Sequence, residues 1–220
     1  MTAFLFGQGD YGGNGASRPD AGGDPLGAEE RKPEPTRVLI AEDEWIVAAA
    51  LRRQVQAHGY DVVGTVGTGT EVLARCKPDD PTVVLMDIQM PEMDGLTATR
   101  QLMATCPQPV AVITGNATLR QAAEQAGAME YVVKPVLPHQ IPDIITRTQQ
   151  RFGWFMRVRR ETPDSEEALE AWQVVQQALR HLVTMEQVSE GQAFARIEEL
   201  AKAERLSLWR AAARMLATGA

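Results

Sequence analysis

Val38-Leu39-Ile40-Ala41 is a short apolar run that ends on two carboxylates, Glu42 and Asp43. Consecutive apolar residues without polar alternation suit a strand buried on both faces, because a strand with one wet face alternates. Runs of the same kind recur at Val62-Val63-Gly64-Thr65-Val66, Val83-Val84-Leu85-Met86, Val110-Ala111-Val112-Ile113 and Tyr131-Val132-Val133. Helix-compatible stretches separate them at 45–58, 69–76, 96–105 and 119–126, and a closing helix is expected after Pro138. Five strands alternating with helices predict an α/β domain over residues 36–150, a five-stranded doubly wound parallel sheet.

In such a sheet, residues just past the carboxyl ends of the strands converge on one crevice. That rule collects Glu42 and Asp43 after the first strand, Asp87 after the third, Thr114 after the fourth and Lys134 after the fifth. Three carboxylates in one crevice repel unless a cation sits among them, and hard oxygen donors favour Mg²⁺. An aspartate carboxylate is a competent nucleophile toward phosphorus, giving an acyl phosphate. Charge on the three equatorial oxygens in transit would be offset by Mg²⁺, an ammonium and a hydroxyl. Asp87 fits the nucleophile, Glu42 and Asp43 the metal ligands, Lys134 the counter-charge and Thr114 the hydroxyl. Polar residues at strand ends are common, so one acidic pair alone would carry little weight; five positions at the correct ends carry much more.

These residues resemble the receiver domains of two-component response regulators. The matching segments are Ala41-Glu42-Asp43-Glu44, Met86-Asp87-Ile88-Gln89-Met90-Pro91, Met93-Asp94-Gly95, Ile113-Thr114-Gly115 and Tyr131-Val132-Val133-Lys134-Pro135. The resemblance implies a flavodoxin-like fold and a sensor histidine kinase that supplies the phosphoryl group to Asp87. It also implies that the Gln89 backbone carbonyl completes the Mg²⁺ site and that Lys134-Pro135 is cis. Thr114 and Tyr131 take the positions of the family's switch pair. There, phosphorylation draws the hydroxyl inward and the aromatic ring fills the vacated space. Tyr131 by itself reads equally as a core tyrosine with a satisfied hydroxyl. Gly115 leaves the acyl phosphate with little steric cover.

Beyond about residue 151 the strand signal stops. Residues 151–164 read as a junction, with Arg157, Arg159 and Arg160 on a solvated hinge or offered to an acidic partner. Residues 165–217 read as a small all-α three-helix module: 166–186, 189–203 with Ser189 as N-cap, and 208–216. The seam of Trp172, Val175, Leu179 and Leu182 is either internal core or a short parallel coiled coil. Ala178, Ala193-Phe194, Ala201, Leu208 and Ala212 resemble the alanine and aromatic spacing of ANTAR domains, RNA-binding antiterminator modules. The resemblance implies a phosphorylation-driven homodimer that presents two modules to an RNA hairpin.

Two features depart from that pattern. Leu179-Arg180 stands where the family commonly shows Lys-Gly, and residues 161–220 carry six Lys or Arg against ten Asp or Glu. Phosphate attraction supplies much of nucleic-acid affinity, so the module needs a local basic face. Its candidates are Arg180, Arg196, Lys202, Arg205, Arg210 and Arg214, each of which reads as well as a solvated helix position. A helical protein-interaction or dimerisation output without RNA binding is therefore a standing alternative. DNA binding through a helix-turn-helix ranks third, because the C-terminal segment lacks a clear recognition helix with base-reading polar residues. His181 has no flanking pattern that supports phosphotransfer.

The remaining signals bound the function. Net charge is −7, against indiscriminate nucleic-acid binding. No apolar run is long enough for a membrane span, and the N-terminus lacks a secretory pattern, so a cytoplasmic protein is expected. Residues 1–35 hold eight glycines and four prolines and read as a flexible tail, with Phe4, Leu5, Phe6 and Tyr11 as a conceivable docking peptide. Cys76 and Cys106 lack C-x-x-C spacing and read as reduced thiols, and three scattered histidines give no zinc pattern. An enzyme is not expected: aspartate-based phosphohydrolases of the haloacid-dehalogenase type use D-x-D, and Asp87-Ile88-Gln89 has no second acid.

Overall fold

The computed structural model describes residues 35–78, 82–162 and 164–218. The tail and its aromatic residues lie outside this range. Five strands form one parallel sheet: β1 (Arg37–Ala41), β2 (Asp61–Val66), β3 (Val83–Met86), β4 (Val110–Thr114) and β5 (Glu130–Val133), in the order β2-β1-β3-β4-β5. Helices α1 (Trp45–Ala57), α2 (Gly69–Ala74), α3 (Gly95–Thr105) and α4 (Arg120–Ala126) connect them. The central strands β1, β3 and β4 are buried almost throughout, as their unbroken apolar runs require.

The two faces of the sheet have separate cores. Val38, Ile40, Leu85 and Ile113 pack with Leu51 and Val55 of α1 and with Ile141, Ile144 and Ile145 beyond β5. Leu39, Val84, Met86 and Val112 pack with Val72 of α2, Ala98 and Leu102 of α3, and Ala123 of α4. Alternate strand residues go to opposite cores, which is the period-two geometry of a strand.

The closing helix, α5 (Ile141–Glu161), runs on where the sequence suggested a junction. Its first turns cover the sheet through Ile141, Ile144 and Ile145; its later turns bury Trp154, Phe155 and Val158. The hinge reading of the arginines gives way accordingly. Arg157 pairs with Glu198, and Arg159 donates to the Met103 carbonyl at 2.6 Å and to Ser165 Oγ at 3.2 Å.

Three helices follow, α6 (Ser165–Glu186), α7 (Glu190–Glu204) and α8 (Leu208–Thr218). Asp164 caps α6, and Ser189 caps α7 in a reciprocal box with Gln192. Trp172, Val175, Leu179 and Leu182 are all buried within the chain, so the seam is core and not a free coiled-coil edge. The ANTAR-like positions Ala178, Ala193, Phe194, Ala201, Leu208 and Ala212 are buried with them. Small residues let the helices approach, and Phe194 stacks on Trp154 of α5 with ring centroids 4.6 Å apart. Met103 of α3 and Met129 before β5 belong to the same core, so the module's packing continues into the α/β region.

The cysteines require a correction. Cys76, after α2, and Cys106, at the end of α3, are joined as a disulfide with Cα atoms 6.3 Å apart. Both helices lie on one face of the sheet, which brings their ends together across 30 residues of sequence. A search for short local spacings cannot detect such a pair.

Candidate functional site

The crevice is built by the parallel ladder. Asp87 N–H donates to the Ala41 carbonyl and Glu42 N–H to the Val66 carbonyl, each at 2.9 Å, so the carboxylates emerge from adjacent strand ends. Lys134 N–H donates to the Thr114 carbonyl at 2.8 Å, which fixes the β4 and β5 ends in the same way. After Asp87 the chain turns sharply to reach α3, and Gly95 rests on that turn. A Cβ at Gly95 would stand 1.9 Å from the Asp87 carbonyl oxygen, so only glycine allows the approach. Asp94 then caps α3, accepting from the N–H groups of Leu96 and Thr97 at 2.9 Å each. Burial works to raise the Asp94 carboxyl, but the hydrogen bonds from Thr97 and Leu96 outweigh it and hold it below its ordinary range.

Lys134 joins two of the crevice carboxylates. Its Nζ lies 2.7 Å from Glu42 Oε2 and 2.7 Å from Asp87 Oδ2. Asp87 Oδ1 accepts from the Ile88 N–H at 2.6 Å, and the Gln89 N–H stands 3.4 Å from the same oxygen. Glu42, Asp43 and Asp87 each offer an oxygen within 4.8 Å of the others. Thr114 is fully buried at the end of β4, with its Oγ1 accepting from the Asn116 N–H at 3.3 Å. Lys134-Pro135 is cis, as the resemblance implied.

Charge in this crevice is unbalanced. Burial raises the Glu42 carboxyl; Lys134 works against that, and the Asp87 charge adds to it. Burial works to lower the Lys134 ammonium, but its hydrogen bonds to Asp87 and Glu42 raise it overall. Glu42 Oε1 is buried with no hydrogen-bond partner among the described residues. A buried carboxylate oxygen left bare beside two further carboxylates fits a hard divalent cation.

Tyr131 is buried and its hydroxyl donates to the Asn116 carbonyl. The Arg120 guanidinium lies over its ring, 4.9 Å from the centroid.

The cationic candidates of the module do not form one open face. Arg180 pairs with Glu124 of α4 at 3.1 Å, Arg196 with Glu186, and Arg214 with Glu204 at 2.5 Å. Arg210 lies over the Trp209 ring. Lys202 and Arg205 are exposed, Arg205 in the left-handed conformation that ends α7. Sequence reading missed Arg151, which joins Glu130, Met129 and Glu190. Its one available signal was a cation placed among the apolar positions of α5.

Residues 38–146 match the response regulator receiver domain family. The chain is 32% identical over 186 residues to the transcriptional regulatory protein PdtaR of Mycobacterium tuberculosis, an alignment that covers 84% of this chain and 91% of that protein. A second relative, the chemotaxis protein CheY of Thermotoga maritima, is 30% identical over 117 residues, 52% of this chain and 98% of that one. The receiver domain of the response regulator NarL from Mycobacterium tuberculosis superposes with a TM-score of 0.50 at 24% identity, over 53% of this chain and 98% of that one, and shows the shared fold. No helix among the described residues is long and apolar enough to cross a membrane. The PdtaR similarity extends well past residue 146, into the helical module. The parallel sheet with its acidic crevice matches the receiver family, and the match continues along most of the length of a transcriptional regulator: the chain belongs to the receiver-domain response regulators.

Proposed function

We propose that Asp87 accepts a phosphoryl group from a sensor histidine kinase and that phosphorylation controls an ANTAR-like RNA-binding output formed by α6–α8. The observation that carries the first half is Lys134 Nζ bridging Glu42 and Asp87 at 2.7 Å each, beside a third carboxylate. In the transfer, an Asp87 oxygen attacks phosphorus, the P–N bond to the kinase imidazole breaks as the new P–O bond forms, and the imidazole leaves. Lys134 turns from the carboxylates toward a phosphoryl oxygen, and the Thr114 hydroxyl donates to another. Glu42, Asp43, Asp87 and the Gln89 carbonyl would hold Mg²⁺, which when bound supplies charge neutralisation for the phosphoryl oxygens. Thr114 moving toward the phosphoryl group favours the inward position of Tyr131.

The RNA reading rests on the buried alanine and aromatic pattern of the module and on similarity to a transcriptional regulator along its length. On it, phosphorylation promotes a homodimer that aligns two modules on an RNA hairpin and relieves transcription termination. One observation favours a second reading, a protein-interaction or dimerisation output: Arg180, Arg196 and Arg214 are already paired with glutamates. Sedimentation with Mg²⁺ and beryllofluoride, repeated with RNA from expressing cells, separates the two. Recovery of a transcript by wild-type chain but not by Asp87→Asn supports RNA control. A stoichiometric protein partner without transcript selects the second reading.

A further inference from the structure

Two chains of polar contacts leave the neighbourhood of Tyr131 and end on the helical module. On one, Glu130 Oε1 accepts from the Tyr131 N–H at 3.0 Å, and Glu130 Oε2 lies 3.2 Å from Arg151 Nη1. Arg151 also donates from Nη1 to the Met129 carbonyl at 2.8 Å and from Nε to Glu190 at 3.0 Å, while Nη2 meets the second Glu190 oxygen. All three guanidinium nitrogens are thus used, and they tie α5 to β5 and to the first turn of α7. The planar fork is what permits this, because a lysine offers no bidentate grip. On the other chain, Arg120 lies over the Tyr131 ring and donates to its carbonyl at 3.3 Å. One turn later on the same helix, Glu124 pairs with Arg180 of α6.

Between the two chains lies a cavity of about 90 Å³ lined by Arg120, Tyr131, Arg151, Trp172 and Arg180 among others. Trp172 is fully buried, yet its Nε1–H has no partner among the described residues. A seam that leaves an indole donor unsatisfied is not packed like the core beside it, and this is where a rearrangement costs least.

We propose that Arg151 and Glu190, with the Glu124–Arg180 pair, form a latch through which the position of Tyr131 sets how α6 and α7 rest on the receiver. The inference rests on the phosphorylation reading above and adds its route to the output. In this structure Tyr131 is inward and the latch is closed. Glu130 holds the Tyr131 N–H, Arg147 and Arg151 with one carboxylate, and Arg120 lies over the Tyr131 ring, so an outward ring that drags the end of β5 with it loosens both chains of contacts at once. Phosphorylation, by favouring the inward ring, closes the latch. Arg151 is a positioning residue, remote from the reacting atoms.

Hydrogen exchange on the full chain, with and without Mg²⁺ and beryllofluoride, tests this. In the wild-type chain the mimic is expected to slow exchange in residues 87–95 and also, by roughly tenfold, in residues 190–197, the size of effect one charge-assisted contact supports. In Arg151→Met and in the milder Glu190→Gln, protection of 87–95 should persist while the response of 190–197 disappears. A purely structural Arg151 would loosen α7 equally with and without the mimic. The latch is overturned if wild-type 87–95 is protected and 190–197 does not respond, or if both variants keep the response. Absence of protection at 87–95 in the wild-type chain strikes the phosphoryl-acceptor reading itself, and removes the trigger with it.

Discussion

The crevice and the helical module treat charge in opposite ways. In the crevice three carboxylates gather beside one lysine that pairs with two of them, and a buried oxygen of Glu42 has no hydrogen-bond partner among the described residues. In the module Arg196 and Arg214 each have a glutamate on a neighbouring helix, and Arg180 has one on α4. Unpaired buried charge is costly and persists where something else is meant to bind. Paired surface charge is ordinary structure, worth about 0–1 kcal/mol per pair. The comparison explains why the receiver chemistry is easier to read here than the output. It also requires the module to break ion pairs before those arginines can meet phosphates.

The sharpest way to break the comparison is Asp87→Asn. Incubated with an acyl phosphate donor and Mg²⁺, the variant should gain no phosphoryl group by intact mass, whereas the wild-type chain gains one. Incorporation elsewhere would show that the unbalanced crevice is not the acceptor.

Next in size is Phe155→Ala. Phe155 is fully buried in the core shared by α5 and the module, so the loss should be about 3–5 kcal/mol in urea unfolding. Receiver and module should still unfold in one transition. Two separated transitions would divide what the shared core joins.

Glu42→Gln should have a smaller effect of opposite sign. Burial raises the Glu42 carboxyl in the folded chain, so folding favours its protonated form. Its contribution is full below the ordinary carboxyl value of 4.5 and is lost as pH rises through the higher folded value. At neutral pH without Mg²⁺ the glutamine variant should therefore melt higher than wild type, and added Mg²⁺ should stabilise it less. A variant that melts lower without Mg²⁺ would show that the Lys134 contact outweighs the crowding.

Arg214→Ala should be the mildest, under about 0.5 kcal/mol by urea, since the pair it breaks is surface-exposed. Transcript recovery that falls anyway would assign Arg214 to RNA; unchanged recovery would leave it a structural cation.

Much of the α/β region was legible because function and burial constrain residue types there. Strand interiors must be apolar, and the strand-end rule points to Glu42, Asp43, Asp87, Thr114 and Lys134, of which Glu42, Asp43, Asp87 and Lys134 lie together in the structure. Helix ends were legible where a cap announced them, as at Ser189. The continuation of α5 was not, because Gly153 and the arginines 157, 159 and 160 interrupt the apolar pattern that Trp154, Phe155 and Val158 carry. Arg157 and Arg159 are used laterally, on Glu198 and the Met103 carbonyl, and tertiary partners leave no local trace in sequence. The Cys76–Cys106 pair and the Arg151 contacts were hidden for the same reason.

The unbroken run of α5 has a practical consequence. Its first half roofs the sheet and its second half supplies Trp154, Phe155 and Val158 to the other core. A receiver excised near residue 150, the natural place to cut by family boundaries, would strand Met103 and Met129 without their cover and present bare apolar surface to water. Measurements on such a fragment would describe a stickier molecule, and transplanting the module onto another receiver would demand that the rod between them be carried along whole.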